Sequence, residues 1–256
     1  MSESVAVVST VDPYPSDAGK KVVVAGFLEY LIDRLGPQNV HYVIVGGPAI
    51  VDVPVVLHRI SKPNTFAALG NVMTGTCTGR SSLQESLLRT RRVREAIHRT
   101  LDRVAPTLEI FETIRMAQHA PARRNAKQIC YLDDLFSEWY ETMLDAAHRF
   151  PDMDIRPLGN FDTFVPRPFR PLAAHRVSQR FLLRLEEGLV RHSEDRIARQ
   201  FGTTLLLSER EADHLRHRSG VDERRVQAIP PLIGHPASMS RDYDGAPEFV
   251  FLGHLL

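Results

Sequence analysis

Short, wholly apolar runs alternate along this chain with longer stretches of helical periodicity, and glycine or proline marks most of the joins. Val5-Ala6-Val7-Val8 is an unbroken apolar run of strand length, which predicts a strand buried on both faces. A turn-rich loop, Asp12-Pro13-Tyr14-Pro15-Ser16-Asp17-Ala18-Gly19, follows it. An apolar helix then runs from Lys20 to Leu35 and is stopped by Gly36-Pro37. Strand, loop and helix in that order make the first unit of a parallel α/β sheet. In such sheets ligands sit at the carboxyl ends of the strands, so the loop lies on the functional edge.

The same alternation continues. His41–Gly47 reads as a second buried strand and Val53–Ile60 as a third, with Pro54 favouring an edge position. Ser61–Gly79 has few periodic cues and reads as loop with one helical turn. Ser81–Val104 keeps Leu83, Leu87, Val93, Ile97, Leu101 and Val104 near one stripe, which predicts one amphipathic helix ended by Pro106. Thr107–Glu112 and Lys127–Asp133 are the fourth and fifth strands. Asp134–Pro168 is a long aromatic and proline-rich connection, the kind that is functional or half helical. A helix from Pro171 to Arg199 places Val177, Phe181, Leu185, Leu189 and Ile197 inward. Thr203–Leu207 is the sixth strand, Ser208 with Glu211 reads as a capping box for the next helix, and Arg225–Leu232 is the seventh strand. Residues 236–247 read as an interdomain linker, and Glu248–Leu256 as a new apolar strand.

Composition narrows the classes. With 32 basic and 31 acidic residues the net charge is +1, so bulk charge predicts neither nucleic acid nor an acidic partner. Arginines do cluster locally: Arg89, Arg91, Arg92, Arg94 and Arg99 on one helix, Arg176, Arg180, Arg184, Arg191 and Arg196 on another. Such clusters have two readings, a solvated face with acidic partners or attraction to an anionic membrane surface or phosphorylated substrate. Cys77 and Cys130 fit neither a disulfide framework nor a zinc motif. The polar start Ser2-Glu3-Ser4 and the lack of an apolar run near the ~20 residues of a membrane span lead to the expectation of a cytoplasmic protein, membrane-associated if the arginine clusters meet lipid.

Several phrases carry a resemblance: PYPSDAG before the first helix, YLDD after the fifth strand, LLLSEREADHLR followed by RVQAIPPL, and the final FVFLGHL. As an ordered set they resemble the amino-terminal half of GT-B glycosyltransferases, nearest to the retaining family-4 group. The resemblance implies a Rossmann-like parallel sheet flanked by helices, in residues 1–235, that holds the acceptor. It implies a nucleotide-sugar donor bound mainly by a second domain that is absent or only begun at 248–256. It implies transfer of a sugar to an acceptor hydroxyl of a polysaccharide, lipid or small molecule, with no cofactor and no catalytic metal. A homodimer or a second-domain partner is open on this reading, as is peripheral membrane contact. The family commonly has two adjacent glycines in the first loop, where this chain has Ala18-Gly19.

On that frame the site residues follow. Gly19 and Lys20 stand where helix amides and a cation meet a donor phosphate or acceptor oxygen, or are a turn glycine and a surface lysine. Asp133 and Asp134 end the fifth strand, where a carboxylate can accept hydrogen bonds from sugar hydroxyls or take a proton from one. Adjacent strand residues point to opposite faces, so one of the pair faces the cleft directly. Arg115 and His119 follow the fourth strand and could bind an anionic group or orient a hydroxyl; a surface arginine and a solvated histidine are the plain alternative. Ser208 and Glu209 open a helix on the same edge, with Ser208 also readable as a simple cap. His214 and His217 lack a third metal ligand at motif spacing, and Trp139-Tyr140 reads as core packing or a sugar-stacking platform.

Two other classes compete. A non-catalytic acceptor-binding or partner-docking domain would expose an apolar patch around Phe249, Phe251 and Leu252. A nicotinamide-dependent oxidoreductase is disfavoured, because no G-x-G-x-x-G follows the first strand.

Overall fold

The computed structural model describes residues 3–16, 19–47, 53–122, 125–150 and 176–231. Among these a seven-stranded sheet runs in the order β3-β2-β1-β4-β5-β6-β7, with every neighbouring pair parallel. The strands are β1 Val5–Ser9, β2 Val40–Val45, β3 Val56–Ile60, β4 Leu108–Glu112, β5 Lys127–Asp133, β6 Thr203–Leu206 and β7 Val226–Ala228. The expected Rossmann-like α/β class is what the sheet shows, and β3 takes the edge position that Pro54 suggested.

The helices are α1 Gly19–Leu35, α2 Thr65–Asn71, α3 Leu83–Ser86, α4 Arg91–Val104, α5 Thr113–Ala117, α6 Phe136–Arg149, α7 Arg176–Gln200 and α8 Glu209–Ser219. They cover both faces. One core packs Val24, Leu28 and Leu31 of α1 under Val5, Val7, Tyr42 and Ile110. The other packs Val93, Ile97 and Leu101 of α4 with α7 and α8 against Ala6, Val8, Phe111 and Cys130. Successive strand residues therefore feed opposite cores, which is why the strands read as unbroken apolar runs.

Five local expectations are corrected. Ser61–Gly79 is more helical than expected: α2 continues into a π-helical turn over Val72–Thr76. The single helix expected over Ser81–Val104 is two. Ser82 and Glu85 form a capping box on α3, and Thr90 accepts from the Val93 amide to start α4 afresh. Among the described side chains of α7 the buried positions are Leu183, Val190, Ile197 and Ala198 with Glu186, Ser193 and Glu194, while Phe181 is exposed. Apolar counting misplaces that helix, because its inward face carries carboxylates. Ser208 makes no side-chain cap bond on α8; Glu211 Oε1 instead accepts from the Leu135 amide at 3.2 Å. The seventh strand is shorter than expected. The proposed linker at 236–247 and the strand at 248–256 lie outside the described residues.

Candidate functional site

The strand order reverses direction between β1 and β4. At such a switch point the loops leaving two neighbouring strands diverge and open a crevice at their carboxyl ends. The residues ending those strands are polar. Ser9 closes β1, Glu112 closes β4 and Asp133 closes β5. All three are buried, although each ends an otherwise apolar run.

Glu112 is the centre. Its Oε2 accepts from Ser9 Oγ at 3.0 Å, and its Oε1 lies 2.6 Å from Lys20 Nζ. Ser9 Oγ in turn accepts from the Val11 amide at 2.9 Å, which fixes the start of the loop after β1. Lys20 also lies 3.4 Å from Asp133 Oδ2. Burial alone would push the Glu112 carboxyl upward. The charges of Lys20 and Arg115 and the hydrogen bonds from Lys20 and Ser9 outweigh it, and the net shift is downward. Glu112 is therefore a fixed anion within the protein.

Asp133 Oδ1 accepts from the Tyr131 hydroxyl at 2.9 Å, and the Asp133 carbonyl accepts from the Leu207 amide at 2.9 Å. Tyr131 stacks on Phe27 of α1 with centroids 5.9 Å apart. Asp133 thus sits inside a frame drawn from α1, β5 and the end of β6. Its φ is +73°, and that of Thr113, the residue after β4, is +59°. Left-handed backbone at a non-glycine residue costs roughly 1–2 kcal/mol. Here it turns two adjacent strands sharply out of the sheet at their carboxyl ends. Strain of this kind gathers at functional sites.

Asp134 follows at the rim, exposed and without a hydrogen-bond partner among the described residues. Partial burial and the neighbouring Asp133 charge raise its pKa, against an opposing pull from Lys20. The Phe136 ring borders two cations, with Lys20 Nζ 5.8 Å and the Arg115 guanidinium carbon 5.9 Å from its centroid. The assembly offers a positioned ammonium, a buried carboxylate that orders it, a half-engaged carboxylate and an open one. That set can bind and orient hydroxyl groups and accept a proton from one.

The structure brings Gly19, Lys20, Asp133, Asp134 and Arg115 to one edge, with Ser208 close by through the Leu207–Asp133 bond. Gly19 begins α1, and nothing lies within 4 Å of a Cβ built there, so no crowding requires glycine. Glu209 turns away to a surface ion pair with Arg216 at 2.7 Å. His119 is 0% exposed. Burial, with the charges of Arg94 and His98, lowers its pKa to about 3, so its ring is a neutral core group rather than a rim group. Trp139 is exposed and packs edge-on against buried Tyr140, and His214 pairs with Glu138. Among the described residues no group of three or more His, Cys, Asp or Glu is placed to share a metal.

Glu112, Ser9, Tyr131 and Phe136 were not singled out from the sequence as site residues. The available signal was an acidic residue ending an apolar strand, the same signal that pointed to Asp133.

No family model matches the chain, and no curated protein matches it. Among solved structures, the chain is similar to a glutamine-to-alanine variant of Os79 from O. sativa in complex with UDP. The match is at 12% identity and a TM-score of 0.38, over 91% of this chain and 52% of that one. The chain spans about half the length of that structure.

Proposed function

We propose that this chain is the acceptor-side half of a GT-B, family-4-like glycosyltransferase, moving a sugar from a nucleotide diphosphate sugar to an acceptor hydroxyl. The observation that carries the reading is the Lys20–Glu112–Asp133 cluster at the switch point of a parallel sheet. The ordered phrases around it, PYPSDAG and YLDD, support the same reading.

In the reaction the acceptor oxygen bonds to the anomeric carbon of the donor. The bond from that carbon to the diphosphate oxygen breaks, and its electron pair leaves with the diphosphate. The acceptor proton passes to a rim carboxylate. Asp134 suits that role, since it is open to the crevice edge and its raised pKa makes it a better base. Asp133 and Lys20 orient the acceptor, and Glu112 holds Lys20 in place. Gly19 and its helix amides stand nearest a donor phosphate.

The test is titration calorimetry of the chain with a panel of saccharides and nucleotide sugars. The reading predicts weak saccharide binding that Asp133→Asn and Lys20→Met abolish. It predicts weaker donor binding still, because the donor site belongs mostly to a second domain. Micromolar donor affinity indifferent to both substitutions would overturn it. The competing docking-domain reading rests on Phe249, Phe251 and Leu252, which lie outside the described residues.

A further inference from the structure

The segment after β3 exposes large apolar side chains beside a row of arginines. Phe66 on α2 is 87% exposed and Met73 in the π-helical turn is 59% exposed. They are seven positions apart, about two helical turns, so both project from one side of the segment. Large apolar groups bared in this way are costly in water unless something covers them.

These side chains are held outward. Ala68, Gly75 and Thr76, on the opposite side of the segment, are buried. Thr76 Oγ1 donates to Ser86 Oγ at 2.8 Å, and Ser86 and Ser81 share a further hydroxyl contact at 2.8 Å. A Cβ at Gly75 would come within 2.4 Å of Ser81 Oγ and 2.7 Å of Ser86 Oγ, so the turn is seated on α3 as closely as backbone allows. Asn71 Nδ2 ties the end of α2 to the Arg89 carbonyl at 2.6 Å. The Arg80 amide bonds to the Gly75 carbonyl at 2.8 Å.

Those ties set the apolar pair next to cations. Arg80, Arg89 and Arg92 are exposed and have no carboxylate within ion-pairing distance among the described residues. By contrast, Arg91 pairs with Glu95. Between α2 and the start of α4 lies a cleft of about 580 Å³ whose walls include Lys62 and Arg92. The feature lies on the carboxyl edge of the sheet: α3, on which the π-helical turn is seated, packs against α5, the helix that leaves the end of β4.

We infer that Phe66, Met73, Arg80, Arg89 and Arg92 form a docking surface for an anionic lipid bilayer. The apolar side chains enter the interface and the arginines meet lipid phosphates. Stable interfacial binding needs two such signals together, and here both sit on one rigidly anchored segment. Charge complementarity favours an acidic surface over an apolar protein partner. The inference rests on this surface alone and does not depend on sugar transfer.

The exposed Cys77 beside Met73 accepts an environment-sensitive fluorophore, whereas Cys130 is buried. The labelled chain is titrated with phosphatidylcholine vesicles with and without phosphatidylglycerol, and the unlabelled chain is co-sedimented with the same vesicles. The expected result is a blue shift and sedimentation with phosphatidylglycerol only, reversed by salt. Phe66→Ser weakens the affinity about tenfold. Arg89→Gln and Arg92→Gln weaken it roughly fivefold each. Thermal unfolding stays unchanged in all three, since each side chain is exposed. Failure to sediment with phosphatidylglycerol at low salt, equal affinity for both vesicle types, or full affinity in Phe66→Ser would overturn the inference.

Discussion

The Lys20 ammonium lies 2.6 Å from Glu112 Oε1, and this contact joins the first turn of α1 to the end of β4 where the strand order reverses. Glu112 is buried, and the Lys20 ammonium nitrogen is covered as well although part of its side chain is open, so the pair lies just beneath the floor of the crevice. A cation held in this way is positioned before any ligand arrives, and the ordering cost is met by folding rather than by binding.

Removing Lys20 leaves a buried carboxylate short of its nearest charge. Lys20→Met is expected to cost on the order of 2 kcal/mol in urea unfolding. Adding Glu112→Gln should restore part of that loss, and the double-mutant cycle measures the coupling. Additive effects would mean that the two groups do not act together.

Acid titration gives a second reading of Glu112. Its folded pKa is depressed, so the folded state binds fewer protons near the carboxylate range than the unfolded chain does. Stability from this group is present above about pH 4 and is lost as pH falls through the folded pKa. Glu186 acts in the opposite sense. It accepts from the Leu83 and Gln84 amides at 2.7 and 3.3 Å, yet burial raises its pKa to about 7. Its contribution is fully present below about pH 4 and declines as pH rises to about 7. Unfolding curves of Glu186→Gln should be flatter across that window and those of Glu112→Gln flatter below it.

Asp133 combines a structural and a chemical demand at one position. Asn tolerates left-handed backbone and Val does not. Asp133→Asn should therefore keep the melting temperature within a few degrees while losing saccharide affinity, whereas Asp133→Val should lower stability by about 2 kcal/mol. Equal stability of the two variants would show that the +73° φ is not demanding.

Caps separate bonded from unbonded serine and threonine. The Thr90 side chain accepts from the Val93 amide, and Thr90→Ala should cost about 1 kcal/mol. Ser208 makes no such bond, so Ser208→Ala should change the melting temperature little. Thermal unfolding of the two variants side by side checks both.

Much of the fold was legible because strands buried on both faces, such as Val5–Val8 and Tyr42–Val45, cannot alternate and so stand out as apolar runs. What misled were buried polar groups. The α7 face against the sheet carries Glu186, Ser193 and Glu194, and counting apolar residues pointed to Phe181 instead. The break before Thr90 was hidden because Leu83, Leu87 and Val93 continue one stripe across it. Within the site, Asp133 and Lys20 were legible from their place at a strand end and a helix start. Glu112 carries the same strand-end signal as Asp133, but its role at the centre shows only when Lys20 and Ser9 are seen around it. His119 failed in the reverse way, since no pattern told that its ring turns into the core.

The most direct test is an amide NMR titration of the chain with acceptor saccharides. At the opposite end of the sheet lies another cleft, about 890 Å³, bordered by Ala105, Thr107, Lys127 and Gly202. The account predicts shifts concentrated at Thr10–Val11, Gly19–Lys20, Thr113–Arg115 and Asp134–Phe136, and erased by Asp133→Asn. Shifts centred on Ala105, Thr107 and Gly202, with the carboxyl edge silent, would contradict it.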